Sequence, residues 1–365
     1  MSILIFIIVL SVLILVHEFG HFIVAKRMGV RIEQFSLGFG PKLFRWKKAD
    51  TEYIICSVPL GGYVKLAGDN LEEFKGQPYE YLAKSPGQRA RIILCGPLLN
   101  YVLAFLCFWL IFFFGFPNLT CRVGELVENF GAQKAGIQVN DLILAVDGQE
   151  VKFWQDLQKI IQKKSQGEVT RISILRNNQE LEIPVRIKQE KIDTIWGEKK
   201  TVGLIGIKPA DEFIKIRYGF IKSFFMGGGK LFYLTWLTIK SLVFMVSGRM
   251  SFRESVTGPL GIFYITTEAA HLGIIPLIQV IAVISMSLSI FNLLPLPVMD
   301  GGHLLFLLIE KIRRRSLSIR TERVITQIGF SIILLLIAFV FYNDLLRYDV
   351  FGKLSKWWSN EAHPP

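Results

Sequence analysis

His17, Glu18 and His21 stand in the order His-Glu-Phe-Gly-His. On a helix, residues four apart share a face, so both imidazoles can point at one metal ion. Glu18 lies about 100° round from His17, within reach of a water on that ion. The chemistry implied is metal-assisted hydrolysis with a carboxylate as base. The pattern is short and recurs by chance, so its surroundings decide. Residues 1–16 carry no charge, and residues 19–25 are apolar apart from His21. Ionisable groups are costly in lipid and are kept there for work. The bland alternative is a helix end at headgroup depth.

A catalytic zinc takes three protein ligands and leaves one position open. His17 and His21 supply two. Of the other histidines, His363 lies in the tail and His271 falls on the outer side of the third apolar run. Asp300 and His303 remain as candidates, in Asn292-Leu-Leu-Pro-Leu-Pro-Val-Met-Asp300-Gly-Gly-His303. Pro295 and Pro297 break the chain just before Asp300. The backbone they free is tolerated at membrane depth only in a protein-lined, wet cavity.

The elements that must position these residues are membrane spans. Of the 365 residues, 51% are apolar and 13% aromatic, and mean hydropathy is +0.41. Four runs are long enough for roughly 30 Å of hydrocarbon: residues 1–25, 92–116, 272–299 and 324–343. The first is expected to be retained rather than cleaved, because it leads straight into the histidine pair without a basic leader. The net charge of +12 does not mark a nucleic-acid binder. Its basic clusters, residues 26–91 and Lys311 to Arg323, flank spans, and the positive-inside rule assigns both to the cytoplasm. Both termini and residues 120–271 then lie outside. Four cysteines without CxxC spacing imply no disulfide framework.

Between the first two spans, Phe35 to Pro41, Thr51 to Pro59 and Gly61-Gly62-Tyr63-Val64 alternate like short strands punctuated by Gly and Pro. They read either as an ordinary hairpin or as a sheet edge that accepts an extended peptide. Gly96 and Pro97 are expected to start or kink the second span, and Asn100 to hydrogen-bond a neighbouring helix as packing glue. From Cys121 the chain turns soluble and strand-rich. Gly124-Glu-Leu-Val-Glu, Ala135-Gly-Ile and Asn140 to Gly148 follow the order of a PDZ domain, in one copy over residues 122–209. Such a domain takes a peptide as an added strand or acts as a steric gate. Residues 231–246 read as a short interfacial or re-entrant helix with Gly227 to Gly229 as a hinge. A fifth crossing would put the Lys311 to Arg323 cluster outside, against the charge rule.

Taken together, the His-Glu-x-x-His span, Gly38-Phe-Gly-Pro, Gly61-Gly-Tyr-Val, Gly96-Pro-x-x-Asn100, the PDZ order and Asn292-x-x-Pro-x-Pro-x-x-Asp300-Gly-Gly resemble the site-2 protease family. The likeness is greatest to its bacterial RseP-type regulated intramembrane metalloproteases. The resemblance implies Zn2+ held by His17, His21 and Asp300, with Glu18 as general base. It implies that Asn292 holds the substrate backbone or the developing oxyanion, and that Gly61, Gly62, Tyr63 and Val64 receive the substrate strand. His303 matches no ligand position of the family and reads as a helix-end residue.

The expected architecture is a polytopic α-helical membrane protein of about four spans, with a membrane-associated β-element and an inserted extracytoplasmic PDZ domain. Its parts are a membrane core over 1–116, the PDZ domain over 117–210, an interfacial segment over 211–273, a second membrane core over 274–345 and a tail over 346–365. The expected activity is intramembrane cleavage of single-pass transmembrane proteins in the bacterial inner membrane. Partners are the bilayer and a peptide or substrate contact at the PDZ domain. A silent PDZ scaffold and a metal transporter are the competing classes. The intact Glu18 argues against the first, and the lack of an internal repeat against the second.

Overall fold

The computed structural model describes residues 2–193, 199–315 and 318–349. The elements, in chain order, are helix α1 (Ser2–Arg27), strands β1 (Ile32–Lys48) and β2 (Thr51–Leu66), helix α2 (Pro86–Phe114), strands β3 (Phe116–Leu119) and β4 (Val123–Leu126), and helix α3 (Gly131–Lys134). Next come β5 (Leu142–Val146), β6 (Gln149–Glu150), α4 (Trp154–Ile161), β7 (Val169–Arg176), β8 (Gln179–Arg186), β9 (Lys188–Asp193), β10 (Lys199–Leu204), β11 (Ile207–Pro209) and β12 (Phe213–Ile216). The rest is helical: α5 (Phe220–Val246), α6 (Phe252–Ser255), α7 (Pro259–Leu272), α8 (Ile274–Asn292), α9 (Asp300–Arg313) and α10 (Ile319–Arg347). Two compact units result. One comprises Met1–Ile111, Phe224–Lys240 and Ser251–Pro365; the other comprises Phe112–Ser223 and Ser241–Met250.

Five helices among the described residues, α1, α2, α5, α8 and most of α10, are long and apolar enough to cross a membrane. Much of their apolar surface faces outward: Leu4, Ile8, Leu110, Phe232, Leu335 and Ile337 are all exposed. In water such a face would drive aggregation; against lipid it needs no cover. The fifth helix is the departure from the sequence reading. The segment expected to be a short helix from residue 231 begins at Phe220 and runs 27 residues without a break, a length of about 40 Å. The triple glycine is not a hinge. A Cβ on Gly227 would stand 2.8 Å from the Trp109 backbone nitrogen, so this glycine permits a close crossing of α5 and α2. Tyr101 and Thr235 hydrogen-bond across the same contact at 2.9 Å.

α2 also starts earlier than expected, at Pro86, and continues through Pro97. The break at the other end of the membrane unit does occur. α8 stops at Asn292, and residues 293–299, with both prolines, form the turn that launches α9 at Asp300. Gly301 and Gly302 tuck beneath this turn, where any Cβ would overlap the carbonyls of Leu294 and Leu296. Pro297 in turn lies on Gly329 of α10.

The short strands expected after α1 merge into two long antiparallel ones that fold back on each other. Residues 34–37 of β1 pair with Glu52–Ile55 on one side and with Gly62–Lys65 on the other. Gly38 and Gly40, with φ of +90° and +88°, turn β1 so that its second half can pair with the start of β2. Gly62 to Val64 consequently form an edge strand.

The second unit is an α+β module. β6, β5, β7 and β8 form an antiparallel sheet, β4 pairs with β11, and β9 with β10. α4 closes over a core that includes Val123, Ile143, Trp154, Leu157, Ile172, Ile174 and Val185. The alternation of Val169–Arg176, with Thr170, Ile172 and Ile174 buried, is what a half-buried strand requires. Asp141 is 2% exposed and takes two hydrogen bonds from Arg176, at 2.8 and 2.7 Å. Burial alone would raise its carboxyl, but those bonds and the Gln138 N–H outweigh it and hold it below the usual carboxylate range. β3 pairs with β12, so the strands entering and leaving the module run side by side.

Candidate active site

α1 carries His17, Glu18 and His21 on consecutive turns, and α9 opens with Asp300. The structure brings the two histidines and the aspartate together. Their Nε2 atoms stand 3.1 Å apart. Asp300 Oδ2 lies 3.1 Å from His17 Nε2, and Oδ1 lies 3.7 Å from His21 Nε2. Four ligands about 2.0–2.1 Å from a tetrahedral zinc stand about 3.3 Å from one another. The three observed separations bracket that edge.

The hydrogen-bond pattern supports the same fit. His21 Nδ1 lies 2.9 Å from the Ile92 carbonyl, which can only accept, so the ring proton sits on Nδ1. The Nε2 lone pair is left free and directed at Asp300. Asp300 Oδ2 is buried and makes no hydrogen bond. A carboxylate oxygen held against imidazole lone pairs without a proton between them is repulsive, unless a cation is shared among them. The residues present therefore fit a metal ion, and among the described residues this is the one His/Cys/Asp/Glu group close enough to hold one.

Glycine makes the packing possible. A Cβ on Gly96 of α2 would overlap the His21 ring and come within 3.0 Å of the His17 ring. One on Gly20 would overlap the Cys95 carbonyl. The histidines therefore sit in a notch where α1 and α2 nearly touch. Gly96 was legible in the sequence only as a helix breaker; its placement against the rings, and the Ile92 carbonyl that orients His21, emerge from packing.

The remaining predicted residues gather at the rim. The Asn292 amide nitrogen, at the end of α8, lies 3.4 Å from His17 Nδ1 and 3.5 Å from Nε2. Glu18 is half-buried, within electrostatic reach of His17 and Asp300, and its carboxyl meets the Val64 backbone N–H. The position of a Cβ on Gly62 is 3.5 Å from Glu18 Cγ. Gly62 and Val64 thus border the site, and Tyr63 bonds Gln34 at 3.0 Å while stacking near Phe39. Where a Cβ on Gly61 would stand, the Phe39 ring already lies. His303 is exposed on the first turn of α9, outside the triad. His271 ends α7, and His363 lies outside the described residues.

Asn100 departs from expectation. It is 1% exposed, yet neither atom of its amide has a partner. The bond across the helix interface is made by its backbone carbonyl, which accepts from Ser285 Oγ at 2.8 Å.

Comparison with known proteins gives the family of the chain. Residues 5–336 match the model of peptidase family M50. The regulator of sigma-E protease RseP of Escherichia coli is 30% identical over 94% of this chain and 98% of its own length. The zinc metalloprotease RasP of Geobacillus kaustophilus is 29% identical over 95% of this chain and 98% of its own. Among solved structures, the PDZ domain of an SdrC-like protein from Listeria innocua is 26% identical, covering 26% of this chain and 96% of that one, with a TM-score of 0.21. With the family pattern matched across more than nine-tenths of its length, the chain belongs to peptidase family M50.

Proposed function

We propose that this protein is a multi-pass zinc endopeptidase of the inner membrane, acting on transmembrane segments of single-pass proteins in regulated intramembrane proteolysis. In this reading His17, His21 and Asp300 hold the zinc and Glu18 is the general base. The observation that carries it is the Asp300 carboxylate, whose buried, unbonded Oδ2 faces His17 Nε2 while Oδ1 faces His21 Nε2. Bound there, zinc would polarise the scissile carbonyl and lower the pKa of water toward about 7.

Every other part belongs to the chain. The Ile92 carbonyl fixes the tautomer and plane of His21. Glu18 takes the proton of the attacking water and delivers it to the leaving amine. The Asn292 amide, at the rim, donates to the substrate carbonyl as negative charge develops. A helical substrate hides its peptide groups in its own hydrogen bonds, so it must unwind first. The free edge at Gly62 to Val64, beside Glu18, offers an unwound segment replacement bonds where lipid offers none.

In this reading both termini and the α+β module face outward, and the site opens near the cytoplasmic face. Support comes from ion pairs within the membrane unit. Glu310 binds Arg89, and Arg323 binds Glu72, so the two basic loops meet at one end of the helices. At the other end Asp344 of α10 accepts from the N–H groups of Gly258 and Gly261. Residues 258–261, downstream of α5, thus lie at the end where α10 finishes, which in this reading is the outer side. The module is then a gate or peptide contact for the substrate's outer portion.

The test is cleavage of single-pass model substrates in membranes by wild type and Glu18→Gln. Loss of at least about 100-fold is expected, with bound zinc unchanged. Equal cleavage by both proteins would overturn the reading.

A further inference from the structure

Resting on the proposed ligand set, the geometry points to Arg89 and Glu310 as a positioning pair that holds the third ligand in place. Asp300 sits on a different element from the two histidines, and α9 is joined to α8 only through the proline-rich turn. Among the described residues, the side chains of α9 make polar links to the rest of the protein at two points. One is Asp300 with the histidines; the other is Glu310, whose Oε1 lies 2.6 Å from the Arg89 guanidinium. Ten residues of helix, about 15 Å, separate them.

The partner's location gives the pair its role. Arg89 is on α2, one turn before Ile92, the residue whose carbonyl orients His21. The helix that aims one ligand therefore also anchors the helix that carries another. At the near end of α9, Gly301 and Gly302 are buried with their backbone pressed against the proline-rich turn, so α9 leaves that turn in a fixed direction. The far end is fixed by a charge-assisted bond away from water. The Arg89 and Glu310 side chains are 11% and 24% exposed. Arg89 Nε is buried and unbonded, so Glu310 is the acceptor on which that cation depends. Without the pair, the far end of α9 loses its polar tie to α2, and the Asp300 carboxylate at the other end loses its preset distance to Nε2 of His17 and His21. Outer-shell groups of this kind typically alter metal affinity by roughly 10- to 100-fold.

The experiment is a zinc titration of the full-length purified protein against a chelating indicator, with no substrate present. Glu310→Gln and Arg89→Gln are each expected to weaken zinc binding by roughly 10- to 100-fold. The exchanged pair, Arg89→Glu with Glu310→Arg, is expected to recover most of the loss. Should these variants fail to fold, Arg89→Lys keeps the charge without the fork and is expected to weaken binding severalfold. Disruption of the exposed Arg323–Glu72 pair serves as control and should leave affinity unchanged. Lower thermal stability with wild-type zinc affinity in the Arg89 and Glu310 variants would overturn the inference, reducing the pair to a structural brace. The ligand reading fails separately: Asp300→Asn binding zinc like wild type would remove the premise itself.

Discussion

At the scale of single residues, the site depends as much on what is missing as on what is present. Gly96 contributes no side chain, and the His17 and His21 rings occupy the space beside it. In an ordinary helix interior, alanine in place of glycine stabilises by about 1 kcal/mol. Here the sign reverses, because the new methyl overlaps the His21 ring and the backbone of α2 is already close against Gly20. Gly96→Ala is expected to weaken zinc binding by at least tenfold, while helix content stays that of wild type. Zinc titration alongside far-UV circular dichroism checks both halves. A variant that binds zinc normally would show that the notch is not tight. His17, Glu18 and His21 stood out by residue type and spacing; Asp300 was one of two candidates, with His303, and only the resemblance to site-2 proteases singled it out. Gly96 and the Ile92 carbonyl did not stand out, since a glycine in an apolar run and a backbone oxygen carry no distinguishing pattern.

Elements decide whether a substrate can reach the histidines in a reactive shape. The edge at Gly62 to Val64 exists because β1 pairs on both of its sides, leaving the last stretch of β2 outermost. Unpaired edges are normally covered or blunted. This one lies beside Glu18, where the Val64 N–H meets the carboxyl. Val64→Pro removes that N–H and stiffens the edge. Cleavage should fall more than about tenfold while bound zinc stays at the wild-type level, since β2 supplies no ligand. Unchanged cleavage of a transmembrane substrate would discard strand addition as its mode of binding. The sequence showed alternation and glycine punctuation here, but not that two strands would double back into four segments. That topology depends on Gly38 and Gly40 reaching positive φ, and a one-dimensional pattern does not specify which partners result.

Across the whole molecule, the distribution of charge bears on sidedness. Positive-inside counting assigns residues 26–91 and 311–323 to the cytoplasm. The ion pairs Arg89–Glu310 and Arg323–Glu72 tie those same loops together in space. A 27-residue α5 is long enough to cross and would invert everything after it if it did. Single cysteines at exposed Lys75, Arg315, Glu128 and Arg249 separate the cases. An impermeant thiol reagent added to intact cells should label Glu128→Cys and Arg249→Cys. Lys75→Cys and Arg315→Cys should react only after the membrane is opened. Labelling of Arg249→Cys only from inside would make α5 a full crossing and overturn the proposed orientation.

The sequence by itself determined what depends on local periodicity and on the cost of charge in lipid. The four-residue spacing puts two imidazoles on one helix face. Uncharged runs mark the spans, and two prolines end α8 before Asp300. Each follows from a few neighbouring residues, because helix geometry and hydration are local. Tertiary structure alone decided the close crossings of α1 with α2 and of α2 with α5. It also decided the unpartnered amide of Asn100 and the bond between Arg89 and Glu310, which lie 221 residues apart. Those contacts depend on which helix faces meet and at what depth. Many arrangements of apolar helices satisfy the same hydropathy pattern, and only side-chain packing selects among them.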